Sequence, residues 1–112
     1  MALRSGETTV LVYDVETVGL AGAYDSADPT PQLRSNQQSE GGVLLQATIT
    51  TGGKYIYVKV SKSETVPSAA TDYGIRLSNN ESVFLNVSNL SQIFAWTDDT
   101  DAATSLRVTY FN

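Results

Sequence analysis

From residue 42 onward the chain alternates. Ile56, Val58 and Val60 take turns with Tyr55, Tyr57 and Lys59; Val83, Leu85 and Val87 take turns with Phe84 and Asn86; Leu106, Val108 and Tyr110 share one face of the final run. A period of two belongs to a half-buried β-strand, whose successive side chains point to opposite faces. The pattern predicts strands over residues 43–50, 54–61, 73–77, 82–87, 91–97 and 104–111, and another over residues 8–14, where Val10 and Val12 alternate with Leu11 and Tyr13. Turn chemistry separates them: Gly52-Gly53, a breaker region over residues 67–71, Ser78-Asn79-Asn80-Glu81, Ser88-Asn89 and the acidic run 98–101. A Gly-Gly pair supplies the positive φ that tight connections require, so the strands over residues 43–50 and 54–61 are expected to form a β-hairpin. The expected core is Val10, Val12, Leu45, Ile56, Val58, Val60, Leu77, Val83, Leu85, Ile93, Leu106 and Val108.

Residues 19–42 break the pattern. Gly19, Gly22, Asp25, Asp28, Pro29 and Pro31, followed by a polar stretch, leave no period to read. Irregular segments beyond about 12–15 residues are uncommon in compact domains and are usually functional or mobile. Both readings stand here: a segment that contacts a partner, or a mobile insertion. No window shows a sustained helical period, and six or seven short strands with turn signals about every 8 to 12 residues are the pattern of a β-sandwich. The fold class expected is all-β: a single antiparallel β-sandwich, jelly-roll or immunoglobulin-like, with an extended N-terminal arm (residues 1–7) and a long loop (19–42). A chain of 112 residues fits one domain, 1–112.

Composition narrows the function classes. The chain has no Cys and no His, which removes thiolate chemistry, disulfides, an imidazole base and the usual zinc or haem ligands. Seven basic against twelve acidic residues give a net charge of −5, unsuited to neutralising phosphates, so nucleic acid is not an expected partner. No apolar run approaches the roughly 18–20 residues that cross a bilayer, and the opening MALRSGETT has no apolar secretion segment. A protein made and kept in a cytoplasm, or released by lysis, is expected, with no membrane partner. The sequons at Asn80, Asn86 and Asn89 then carry no weight.

Few side chains suggest chemistry. Asp98-Asp99-Thr100-Asp101 could offer oxygen ligands to a hard cation, but it lacks the bend glycine and closing glutamate of a helical calcium loop, and Asp is itself a turn residue. The turn is the preferred reading. Asp14 and Glu16 are spaced for one strand face, as an acid–base pair would be, without the cleft such a pair needs. There is no nucleophile elbow and no phosphate-binding glycine loop. The expectation is a non-enzymatic protein without catalytic residues, cofactor or metal. The aromatics point elsewhere. Tyr55 and Tyr57 face the same way, opposite Ile56 and Val58, so one aromatic set lies outside the core, where it could serve an interface, a glycan platform, or the sheet's own cover under the long segment.

The succession Gly74-Ile75-Arg76-Leu77, Glu81-Ser82, the strand after it, Asn89-Leu90, Ile93-Phe94-Ala95-Trp96 and finally Ser105-Leu106-Arg107-Val108-Thr109-Tyr110 resembles a segment of small β-sandwich structural proteins of tailed bacteriophage virions. The resemblance spans residues 43–112. It implies a capsid decoration (cement) protein that binds the outside of a phage head and bridges neighbouring capsomers. The partner would be the major capsid protein, the oligomer a homotrimer, and the location the virion exterior. A tail, baseplate or head-fibre accessory protein and a carbohydrate-binding attachment module are the alternatives. Candidate contact residues are Leu3 and Arg4 in the arm, Tyr24, Leu33 and Arg34 in the long segment, and Tyr55 and Tyr57 on the sheet.

Overall fold

The computed structural model describes residues 12–19, 33, 36–101 and 103–111, the first stretch as backbone alone. Seven strands make up two antiparallel sheets: β1 (Val12–Gly19), β2 (Gly42–Thr48), β3 (Ile56–Val60), β4 (Ile75–Leu77), β5 (Ser82–Leu85), β6 (Ile93–Thr97) and β7 (Ser105–Phe111). The first sheet runs in the order β1-β7-β2-β5 and the second in the order β4-β3-β6. A single 3-10 turn, Leu90–Gln92, leads into β6. No helix among the described residues is long and apolar enough to cross a membrane.

The alternation sets the core. Val43, Leu45 and Ala47 of β2, Ile56 and Val58 of β3, Leu77 of β4, Leu85 of β5, Ile93 and Ala95 of β6, and Leu106, Val108 and Tyr110 of β7 join in one buried cluster drawn from both sheets. Eight of the twelve expected core residues are buried, and Val60 and Val83 pack against the cluster from partly buried positions. The remaining two, Val10 and the side chain of Val12, lie outside the described residues. The predicted 8–14 strand overlaps β1 only at Val12–Asp14, because the ladder with β7 continues to Gly19 opposite Ser105.

The expected hairpin between residues 43–50 and 54–61 does not form. β2 pairs with β5 and β7, whereas β3 pairs with β4 and β6, so the Gly52-Gly53 connection carries the chain from one sheet to the other. Gly53 does take the positive φ of 79° that turn chemistry requires. Contacts made far away in sequence decide the rest: Thr50 and Thr51 are drawn to side chains of the β6–β7 connection instead of continuing a ladder. The predicted strand at 91–97 likewise starts two residues late. Asn89 caps the 3-10 turn there, its Oδ1 accepting from Ser91 N at 3.0 Å and from Gln37 N at 3.0 Å.

Of the 19–42 segment, the described part is tied to the sheets. Leu33 donates its N–H to the Ile93 carbonyl at 3.1 Å and packs against the core; Ser39 is buried, with its hydroxyl on the Val87 carbonyl at 2.8 Å. The arm, residues 1–7, and the rest of the long segment lie outside the described residues.

Candidate functional site

Three surfaces collect the side chains that could act on something else, and each follows from the strand pattern. The first is the outer face of the second sheet. With Ile56 and Val58 turned inward, Tyr57 of β3 and Tyr55 just before it turn outward, and the ladder sets Arg76 of β4 and Trp96 of β6 opposite Tyr57. Tyr57 lies 6.3 Å from Trp96 between ring centroids, with planes 27° apart, and 4.6 Å from Tyr73. The Arg76 guanidinium sits 4.2 Å above the Tyr55 ring, a cation–π contact. A cleft of about 250 Å³ opens between Tyr57, Tyr73, Trp96, Ala70, Thr71 and Asp98. Its polar end is already engaged: Asp98 accepts from the Tyr55 N–H at 2.9 Å and from the Tyr57 hydroxyl at 3.2 Å. Burial, together with the Asp98 charge and hydrogen bond, pushes the Tyr57 phenol above its ordinary value. Lys59, two residues along β3, forms an ion pair with Asp72 at 2.7 Å. The hydrogen bond from Lys59 holds the Asp72 carboxyl below its ordinary value.

Neither aromatic residue of β6 is available as part of a platform. Phe94 and Trp96 are buried, at 1% and 3% exposure, although they lie on the face turned away from the core. A row of exposed Tyr55, Tyr57 and Trp96, the arrangement a flat glycan platform needs, is not present. The cleft instead presents two tyrosines at its rim.

The second surface is the acidic turn after β6. Asp99 is 1% exposed and its carboxylate is surrounded by donors: the Thr104 hydroxyl at 2.5 Å, the Thr51 hydroxyl at 2.8 Å and the Asp101 N–H at 3.1 Å. These bonds, the one from Thr104 foremost, hold its carboxyl down at about 2. Asp101 accepts from Ala103 N at 2.9 Å and from the Thr50 hydroxyl at 2.8 Å, and its carboxyl is lowered in the same way. Asp99 N in turn donates to the Thr97 hydroxyl, which donates to the Tyr55 carbonyl at 2.7 Å. The carboxylates thus fasten the β6–β7 connection to the β2–β3 connection. Among the described residues no group of three acidic side chains converges on a point where a cation would sit.

The third surface is the end of the first sheet at β5. Phe84 points away from the core, leaves 56% of its surface exposed and lies 6.2 Å from the Phe111 ring. Gly42 beneath it has φ +99°, and a Cβ there would come within 2.2 Å of Phe84 Cζ. The glycine is what lets the ring lie down on the sheet.

Of the residues singled out from sequence, Tyr55 and Tyr57 meet on the aromatic face, 6.4 Å apart between ring centroids, and Leu33 lies against the core at the start of β6. Leu3, Arg4, Tyr24 and Arg34 lie outside the described residues. Phe84 was not among the candidates, although its signal was available: if Val83 and Leu85 face inward, the phenylalanine between them must face out. Comparison with protein-family models, with curated proteins and with solved structures yields no match.

Proposed function

We propose that the protein is a non-enzymatic structural component of a phage virion, a decoration protein that binds the outside of the head. The observation that carries this reading is the strand order, which fits a jelly roll, an architecture that recurs in viral capsid domains as well as in lectins and cupins. In an eight-stranded jelly roll one sheet takes the first, eighth, third and sixth strands and the other the second, seventh, fourth and fifth. Numbering β1 as the first strand and β2 to β7 as the third to eighth reproduces both orders, leaving the second strand's place beside β6. Leu33, which lies between β1 and β2 in the chain, donates its N–H to Ile93 at the start of β6. An immunoglobulin-like sandwich fits less well, because there the first strand pairs with the second, whereas β1 pairs with β7. The likeness of residues 74–96 to virion proteins supports the phage setting, and the acidic balance suits a site away from packaged DNA.

The test is to add purified protein to expanded heads of the phage that encodes it, prepared without it, and to follow occupancy and heat resistance. Saturable occupancy at symmetric lattice positions, with a melting temperature that rises with protein concentration, is the expected result. Binding at a single vertex or only to tails would move the assignment to a fibre, tail or baseplate component. The aromatic cleft supports a second reading, glycan attachment, in which Tyr57 and Tyr73 hold a sugar face. Glycan-array binding abolished by Tyr73→Ala would favour it.

A further inference from the structure

Among the described residues β5 ends the first sheet with an unpaired edge, and that edge lacks the devices that close sheet edges elsewhere in the molecule. β4 is three residues long and carries Arg76; β1 has Asp14 and Glu16 in its sequence; β6 receives the Leu33 N–H. β5, with the sequence SVFL, has no charge, no proline and an unbroken register with β2. The phase of that ladder fixes which groups point outward. Ala47 donates its N–H to the Glu81 carbonyl, while the Glu81 N–H turns back to the Ser78 carbonyl; in the phase this sets, Val83 and Leu85 turn their backbone groups toward β2, and Ser82 and Phe84 turn theirs away from the sheet. Among the described residues nothing pairs with them.

We propose that this edge pairs with the same edge of a second copy of the chain, antiparallel across a twofold axis that passes beside Phe84. The register follows from two conditions. Facing residues must lie on the same side of the joined sheet, and the outward-turned groups must meet. Setting Phe84 opposite its own counterpart satisfies both and sets Ser82 opposite Asn86, the residue that follows β5. Charge favours a second copy over an unrelated charged segment. Two chains of net charge −5 repel at most approaches, but β5 itself, Ser82–Leu85, carries no ionisable side chain, so the pairing strands meet without like charges between them. The exposed Phe84 rings then lie side by side next to Phe111 and bury what the single chain leaves open. So short a pairing covers less than a permanent interface does, so the dimer exchanges with monomer in a concentration-dependent equilibrium. The proposal is independent of the virion reading, and it replaces the expected trimer with a twofold pair.

Sedimentation of the full chain over a wide concentration series tests it, with the mass expected to climb from one chain toward two. Phe84→Lys and Phe84→Glu each place like charges opposite one another and are expected to stay monomeric, with cooperative melts that show them folded. Mixed, they are expected to recover the dimer, because lysine then faces glutamate. The chain has no cysteine, so Phe84→Cys provides the sole thiol and is expected to oxidise to a covalent dimer. Ser82→Cys is expected not to, since its counterpart sits four positions along, ~14 Å away at the strand rise. A wild-type monomer at every concentration, a trimer mass, a dimer that survives Phe84→Lys, or equal cross-linking by the two cysteines would each overturn the proposal.

Discussion

On the outer face of the second sheet the aromatic rings are held: Phe94 and Trp96 are buried, Tyr57 gives its hydroxyl to Asp98, and Tyr55 lies under the Arg76 guanidinium. On the outer face of the first sheet Phe84 lies on a glycine with more than half of its surface open and no polar group to satisfy. The inner faces show no such contrast, since both sheets contribute aliphatic residues to the same cluster. The difference separates two uses of an exposed-side aromatic. A ring engaged by a carboxylate, a cation and neighbouring rings belongs to the molecule's own surface cover, with a small cleft left over. A ring that touches only Phe111 among the other rings, beside backbone donors and acceptors that no described residue pairs with, is the one with attachment still available.

The largest effect that tests this comparison is one in which the two sheets should behave alike. Leu45 in the first and Ile56 in the second are both fully buried, and truncation of either to alanine should cost about 2–5 kcal/mol, because the packed core collapses only partly around the void. Denaturant unfolding of Leu45→Ala and Ile56→Ala measures it. If only one of the two were costly, the inner faces would not form a single core, and the contrast between the outer faces would reflect two separate units.

A smaller effect is confined to the first sheet. Gly42→Ala forces a side chain into φ +99° and drives a Cβ into the Phe84 ring, so a loss of about 1–3 kcal/mol is expected. In a Phe84→Ala background the steric part disappears and the conformational part remains, so the same substitution should cost less there. Equal costs in both backgrounds would mean that the ring does not rest on Gly42 in solution.

Much of this arrangement could be read from the sequence, and what could not has a common cause. Period-two alternation located all six strands from β2 to β7 and the shared face of Tyr55 and Tyr57, because side-chain direction in a strand is a local property. Pairing is not local. The Gly52-Gly53 turn looked like a hairpin because its φ requirement is met within the turn, but the partners of β2 were chosen by contacts with residues 81–85 and 105–111. The acidic turn shows the same limit. From sequence, Asp98-Asp99-Thr100-Asp101 could be a turn or a cation site, and what fixes its role is the threonine hydroxyls brought from residues 50, 51 and 104. Phe84 differs from both, because its outward direction was legible and only its place at a sheet end was not.

The connection that joins the two sheets should show the smallest effect, and chiefly in acid. Asp99 has its carboxyl lowered from an ordinary 3.8 to about 2, so in the folded chain it holds its proton more weakly than in the unfolded one. A group depressed in this way adds stability that is fully present above its unfolded value and is lost as pH falls through its folded value. The melting temperature of the wild type should therefore decline between about pH 4 and pH 2, the window these two values bracket. Asp101, Glu81 and Asp72 are lowered as well, through bonds from Ala103, Ser78 and Lys59 respectively, so they contribute to the same decline. Asp99→Asn keeps the side chain's shape and one acceptor oxygen but removes the charge that the Thr104 and Thr51 hydroxyls engage. It should start from a lower melting temperature at neutral pH and fall less steeply in acid, the residual slope belonging to the other three carboxylates. An unchanged slope would mean that the hydroxyls around Asp99 do not engage its charge, and that the two connections are held together by something other than this turn.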